Sequence, residues 1–405
     1  MKPFFTHKIT FLLLLCLLGI SCTEPYALQT NTFEDALVIE ATITNEFKKQ
    51  EIKLSRTYRF EEDGPTFEAG ATVYITDNLG NQYNFDELGE KYVSASEFQA
   101  LPTRNYTLHI TTNDGKRYSS TTEMLTTVNE IQNIVPTVAT KEGVRGVEIN
   151  INSFDPNNTS KYYRYEYEET YKIITPFWDS ERAIIIPPSE PGGERGIGLI
   201  PRVGESKTCY STDSSNTIIL NSTVGLNEDR VHFPVRFISN KNSIIMHRYS
   251  ILVRQYVQNL AAYTYYKTMK DLSGSGSILS QNQPGFFSGN IRSMTNPNEK
   301  IIGFFDVTSV SSKRIFFNYE DIFPGEPQPP YFDECEIRVW GFCFISENPE
   351  CKGAKLLSAI ESNSLLYLDH YYNTAGGYNV YKMVPPPCGD CTTFSSNIKP
   401  SFWID

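Results

Sequence analysis

The chain has 405 residues with 36 basic and 47 acidic side chains, a formal net charge of −11. An acidic surface of this kind excludes nucleic acid and anionic headgroups as partners held by bulk electrostatics. Tyrosine and phenylalanine number 25 each against three tryptophans, and with frequent Ile, Val and Thr they suit pleated, half-buried strands; the length allows two domains with sizeable cores.

Lys2 and Lys8 open the chain, Ile9 to Leu18 is an almost unbroken apolar run, and Gly19, Ile20 and Ser21 lead into Cys22. That is the layout of a secretory signal peptide over residues 1–21, too short to span a bilayer as a permanent helix. The cysteine after small residues resembles the lipobox of bacterial lipoproteins, whose thiol is acylated and becomes the mature N-terminus. Gly19 stands where that pattern usually carries leucine. Cys22 is thus the expected lipidation site, a palmitate-type tether, and the acyl chains are the expected sole membrane contact. Removing residues 1–21 takes two lysines and no acids, leaving 34 basic against 47 acidic side chains.

Residues 22–126 read as the lipidated N-terminus and a first domain. ALVIEATIT (36–44), EIKLSRTYRF (51–60), ATVYITD (71–77), QYNF (82–85) and NYTLHITT (105–112) are strand-like runs. The turns EEDGP (61–65), Asn78-Leu79-Gly80-Asn81 and Asn113-Asp114-Gly115 separate them. Short strands at regular spacing predict an immunoglobulin-like β-sandwich. Tyr106 is either the tyrosine of a corner motif or one core aromatic among many.

Residues 127–405 read as a larger antiparallel β domain with one packed helix and a disulfide-rich tail at 331–405. Residues 125–147 look like a connector. VEINI (147–151), the turn Asp155-Pro156-Asn157-Asn158 and KYYRYEYEETYKII (161–174) follow, the last alternating aromatic and charged positions. The Gly- and Pro-rich stretch 184–206 reads as a loop or a pair of frayed strand ends. TIILN (217–221) and VHFPVRFIS (231–239) are strands. A period of two through Tyr249, Ile251, Val253 and Val257 predicts one long strand; Asn259 then caps a helix through Ala262, Tyr265, Met269 and Leu272. Residues 284–310 give two strands around Asn296-Pro297-Asn298, RIFFNY (314–319) gives another, and PGEPQPP (324–330) is a stiff spacer.

The chemistry-bearing residues are sparse. No HExxH, GxSxG, Walker A or EF-hand loop occurs, and the histidines are isolated in sequence. Glu168-Glu169 and Glu61-Glu62-Asp63 imitate glycosidase carboxylates, but a solvated strand edge or turn is the simpler reading. Beyond the leader and Cys22 the cysteines are Cys209, Cys335, Cys343, Cys351, Cys388 and Cys391, an even number that predicts structural disulfides in an exported chain. Cys388-Gly389-Asp390-Cys391 is a CxxC without the second CxxC or His pair of a zinc site. No catalytic residue, metal or cofactor is expected. Binding candidates are Arg195, Phe286 and Phe287, in the stretches 184–206 and 273–288 where a β scaffold carries recognition loops.

DPNNTSKYYRYEYEETYKI (155–173), residues 209–238, the Tyr-rich strand and helix at 249–272, PGFFSGNIRSMTNPNEKIIGFF (284–305) and CGDCTTFSSNIKPSFW (388–403) together resemble one Bacteroidota lipoprotein family, domain of unknown function four-two-four-nine. Its members have no assigned catalytic residues. The resemblance implies an outer-membrane lipoprotein, encoded beside TonB-dependent transporters, with an immunoglobulin-like N-terminal module. It implies a non-enzymatic partner of a TonB-dependent β-barrel in ligand capture or uptake, facing the cell exterior. Alternatives are a structural subunit of an envelope assembly or export machine, and an extracellular hydrolase or adhesin.

Overall fold

The computed structural model describes residues 35–58, 64–191, 193–274, 289–343 and 353–405. The fold is mainly β, as the composition predicts. The N-terminal body comprises β1 (Leu37–Thr44), β2 (Glu51–Arg56), β3 (Thr66–Phe67), β4 (Thr72–Asp77), β5 (Gln82–Glu87), β6 (Tyr92–Ser94), β7 (Asn105–Thr111), β8 (Arg117–Ser120) and β9 (Glu123–Met124). Alternation puts Val73 and Ile75 of β4 and Tyr106, Leu108 and Ile110 of β7 into one core with Leu37, Ile39 and Ile52. Tyr106 is fully buried and its hydroxyl accepts the Leu101 backbone N–H at 2.9 Å. That bond back to a residue just upstream is a tyrosine corner, which decides between the two readings of this residue.

The stretch expected as a connector is largely strand. β10 (Ile131–Lys141) and β11 (Val144–Asp155) form a hairpin, and Glu142 and Gly143 at its tip have φ of 50° and 80°. Positive φ at both central positions suits the twist of a tight hairpin. β10 lies at the edge of its three-stranded sheet and buries only Ile131 and Ile134, so no sustained alternation marks it. β12 (Tyr162–Ile174) is the long aromatic strand. β13 (Glu181–Ile186) and β14 (Gly196–Pro201) make a hairpin that overlaps the stretch 184–206, followed by β15 (Thr208–Ser214), β16 (Ile219–Ser222), β17 (Asp229–Ser239) and β18 (Arg248–Gln258). Asn259 caps α1 (Leu260–Gly274), its side-chain oxygen accepting the Ala262 N–H at 2.8 Å. Strand then helix is the order that the change of period predicts.

β19 (Ile291–Ser293) pairs with β8, so it belongs to the N-terminal body despite its place in the sequence. β20 (Ile301–Asn318) then spans both bodies. Ile301 to Thr308 run parallel to β1, and Ser309 to Asn318 run antiparallel to β18. The sequence suggests two strands here because Ser311, Ser312 and Lys313 interrupt the apolar run. β19 and the first half of β20 fall within the expected second domain, 127–405, yet they complete the sheet of the first.

Three residues hold that crossing. A Cβ on Gly303 would lie 2.6 Å from the Ile39 carbonyl oxygen, and one on Gly289 would lie 1.6 Å from the Gly303 carbonyl oxygen. Asn290 acts as a short surrogate strand: its Oδ1 accepts the Phe305 N–H at 2.7 Å and its Nδ2 donates to the Phe305 carbonyl at 2.9 Å.

After α2 (Tyr319–Ile322) the tail adds β21 (Arg338–Phe342), α3 (Gly353–Glu361), β22 (Leu366–Asn373), β23 (Tyr378–Val384) and α4 (Pro386–Gly389). Leu356, Ala359 and Ile360 of α3 pack against Ala183, Ile185, Ile197 and Leu199 of the β13–β14 hairpin. Cys209 is bridged to Cys391 and Cys335 to Cys388. Cys343 is also disulfide-bonded, and Cys351 lies outside the described residues. The two thiols of the CxxC therefore serve two different bridges and do not pair with each other.

Asn290→Ala removes both bonds to Phe305 and leaves two backbone groups short of partners. It is expected to destabilise the protein by about 1–3 kcal/mol, read as a lower urea midpoint with an unchanged slope.

Candidate functional site

Where β20 passes from one sheet to the other, residues of alternate register from neighbouring strands share one face. Glu166 lies opposite Arg254, Arg164 opposite Tyr256 and Tyr162 opposite Gln258 across β12 and β18, while Glu40 lies opposite Phe304 and Lys53 across β20, β1 and β2. α1 packs over this face through Ala262 and Tyr265 against Phe304, with Tyr266 and Met269 alongside. Between helix and sheet lies a cleft of about 700 Å³, whose lining includes Arg164, Glu166, Arg254, Tyr256, Glu40, Lys53, Phe304, Tyr265, Tyr266 and Met269 together with Lys49 and Ile218. A second hollow of about 320 Å³ shares Arg164, Glu166, Ile218, Arg254 and Tyr266 with it and continues to Ser214–Thr217.

Arg164 is the centre of the cleft wall. It is 9% exposed, and its guanidinium lies 4.3 Å from the Tyr256 ring and 4.8 Å from the Tyr266 ring, a cation held between two aromatic faces. It forms an ion pair with Glu166, whose Oε2 accepts the Tyr256 hydroxyl at 2.9 Å. Burial works against the charge of Arg164, but Tyr266, Glu166, Tyr256 and Asp306 outweigh it and its pKa is raised. For Glu166 burial likewise opposes ionisation, and Arg164 with the Tyr256 hydroxyl outweighs it, so its pKa is lowered. The Arg164 Nε has no hydrogen-bond partner.

Behind this wall sits Asp306, fully buried. Gln258 Nε2 donates to its Oδ2 at 3.1 Å, whereas Asp306 Oδ1 and Gln258 Oε1 have no partner. Burial lifts the Asp306 carboxyl to about 6, against the pull of Arg164 and of the Gln258 bond.

Other charged groups serve the fold. Glu169 takes a two-pronged contact from Arg236 at 3.1 and 3.0 Å and accepts the Tyr249 hydroxyl at 2.6 Å, while Glu168 pairs with Arg314 at 2.9 Å. Their resemblance to a carboxylate pair therefore has a structural explanation; Glu61-Glu62-Asp63 lies outside the described residues. Among the described residues no group of three His, Cys, Asp or Glu side chains could hold a metal ion.

Arg195 lies on the tail side of the molecule and pairs with Glu361 of α3 at 3.1 Å, so it is not part of the cleft. Cys22, Phe286 and Phe287 lie outside the described residues. The cleft groups Arg164, Glu166, Arg254 and Asp306 were missed as a site. Their signals were the charged positions alternating with tyrosine along β12, and the single acid within the apolar run IIGFFDV.

The profile described as Domain of unknown function (DUF4249) matches residues 23–314, which include all the residues that line the cleft. No curated protein matches the chain.

The raised Asp306 value fixes the sign of a pH effect. From the ordinary value of 3.8 up to about 6 the native carboxyl keeps a proton that the unfolded chain has released, so stability falls as pH rises through that window. Asp306→Asn is expected to flatten this slope in thermal melts and to raise Tm above pH 6, where its amide supplies a donor for Gln258 Oε1, with little gain below pH 4.

Proposed function

This chain belongs to the DUF4249 family, and from that premise we propose a non-enzymatic, ligand-capturing lipoprotein of the outer membrane. It is tethered through Cys22, faces the cell exterior and associates with a TonB-dependent β-barrel during uptake. The observation that carries the capture reading is the seam cleft. Its size is that of a small-molecule site, its lining sets charged and polar side chains beside Tyr256, Tyr265, Tyr266 and Phe304, and it lies along the strand that β1 and β18 share. The signal-like leader ending at Cys22 supports the anchor, and the family resemblance supports the barrel partner. No helix among the described residues is long and apolar enough to cross a membrane.

Labelled palmitate is expected to enter the wild-type protein and not Cys22→Ala, and the variant should leave the membrane fraction. Mild solubilisation of the outer membrane followed by pull-down of the wild type should bring a β-barrel with it. Recovery of the protein alone under several mild detergents would overturn the association.

A further inference from the structure

The charges of the cleft are unevenly spent. Of the lining cations, Lys48 pairs with Glu46, and of the lining acids, Glu51 pairs with Lys91 and Glu166 with Arg164. Arg254, Lys49 and Lys53 also line the cleft and form no ion pair with a described residue, while Glu40 is the single lining acid left without one. A chain with a net charge of −11 thus concentrates surplus positive charge in this cleft. Self-repulsion among these cations opposes folding, and an incoming anion relieves it.

A second observation concerns Arg164. It is nine-tenths buried, aromatic rings fix its plane, and its Nε lacks a partner although the residue lines both adjoining hollows. Next to it Arg254 borders the same two hollows. A guanidinium presents a fork that matches carboxylate and phosphate oxygens and is less costly to desolvate than an ammonium. The apolar and aromatic part of the lining comes from Tyr265 and Met269 of α1 and from Ile302 and Phe304 of β20.

We infer that the seam cleft binds an organic anion, its acidic group held at Arg254 beside Arg164 and its aromatic or apolar body laid against Tyr265 and Met269 of α1. This deepens the capture reading by giving the ligand a charge and a shape. Lys49 and Lys53, exposed on the same lining, draw the anion in, and Glu40 beside them offsets part of that pull.

The test titrates the purified chain with probes that share one ring and differ in charge, followed by ligand-observed NMR: 4-hydroxyphenylacetate, its neutral amide and tyramine, with phenyl phosphate as a second anion. Both anions, or one of them, should bind more tightly than the amide and the amine, and added salt should weaken them. Preference for one anion identifies the acidic group as carboxylate or phosphate. Arg254→Gln should weaken anion binding roughly tenfold, and Glu40→Gln should strengthen it. Arg230→Gln, an exposed charge elsewhere, should leave it unchanged. Equal binding of all probes, tighter binding of tyramine, or no binding of either anion would overturn the assignment. Circular dichroism of Arg254→Gln separates lost binding from lost fold, and the outcome is independent of whether a barrel co-purifies.

Discussion

Strand β20 is hydrogen-bonded to β1 through its first half and to β18 through its second, and both sheets depend on that one stretch of backbone. The junction is tight. Gly289 and Gly303 bring backbones closer than any side chain allows, and Asn290 satisfies the Phe305 peptide groups. The connecting segment is stitched to the same place: the Thr126 hydroxyl donates to the Val257 carbonyl at 2.6 Å and accepts the Ser309 N–H at 2.9 Å. Side-chain hydroxyls and amides take over where the regular ladder changes partner, as buried peptide groups require. The two bodies are therefore continuous through the seam.

Continuity explains why polar groups collect there. Strands from both sheets bring Arg164, Glu166, Gln258 and Asp306 onto one face, and α1 closes over them. Burying charge is costly unless partners compensate, and replacing one member of such a cluster leaves the others exposed to that cost. Arg164 and Glu166 compensate each other. Asp306 does so only in part, which is why its proton is held so far above the ordinary range.

The local structure was largely legible in the residues. Alternation located β4, β7, β12 and β18, the change of period after Gln258 located α1, and Asn259 announced its cap. Gly303 is a point of close backbone approach, and its contact with Ile39 shows the reason. β10 escaped because an edge strand need not alternate, and the β13–β14 hairpin because its partly buried apolar residues meet α3, more than a hundred residues away. The cleft was illegible for a related reason. Its face is assembled from β1, β2, β12, β18 and β20, and a two-residue period tells which side a residue takes without telling which strand lies beside it. The cysteines followed the same rule, since their even number predicted bridges but only three-dimensional proximity separates Cys388 from Cys391.

The pairing of Leu37 with Ile301 has a consequence for biogenesis. A polypeptide leaving the ribosome presents β1 long before its parallel neighbour has been translated, so one border of the first sheet waits unpaired while most of the protein is made. Such borders invite intermolecular strand addition. Premature termination anywhere before β20 would yield a fragment with that border permanently open.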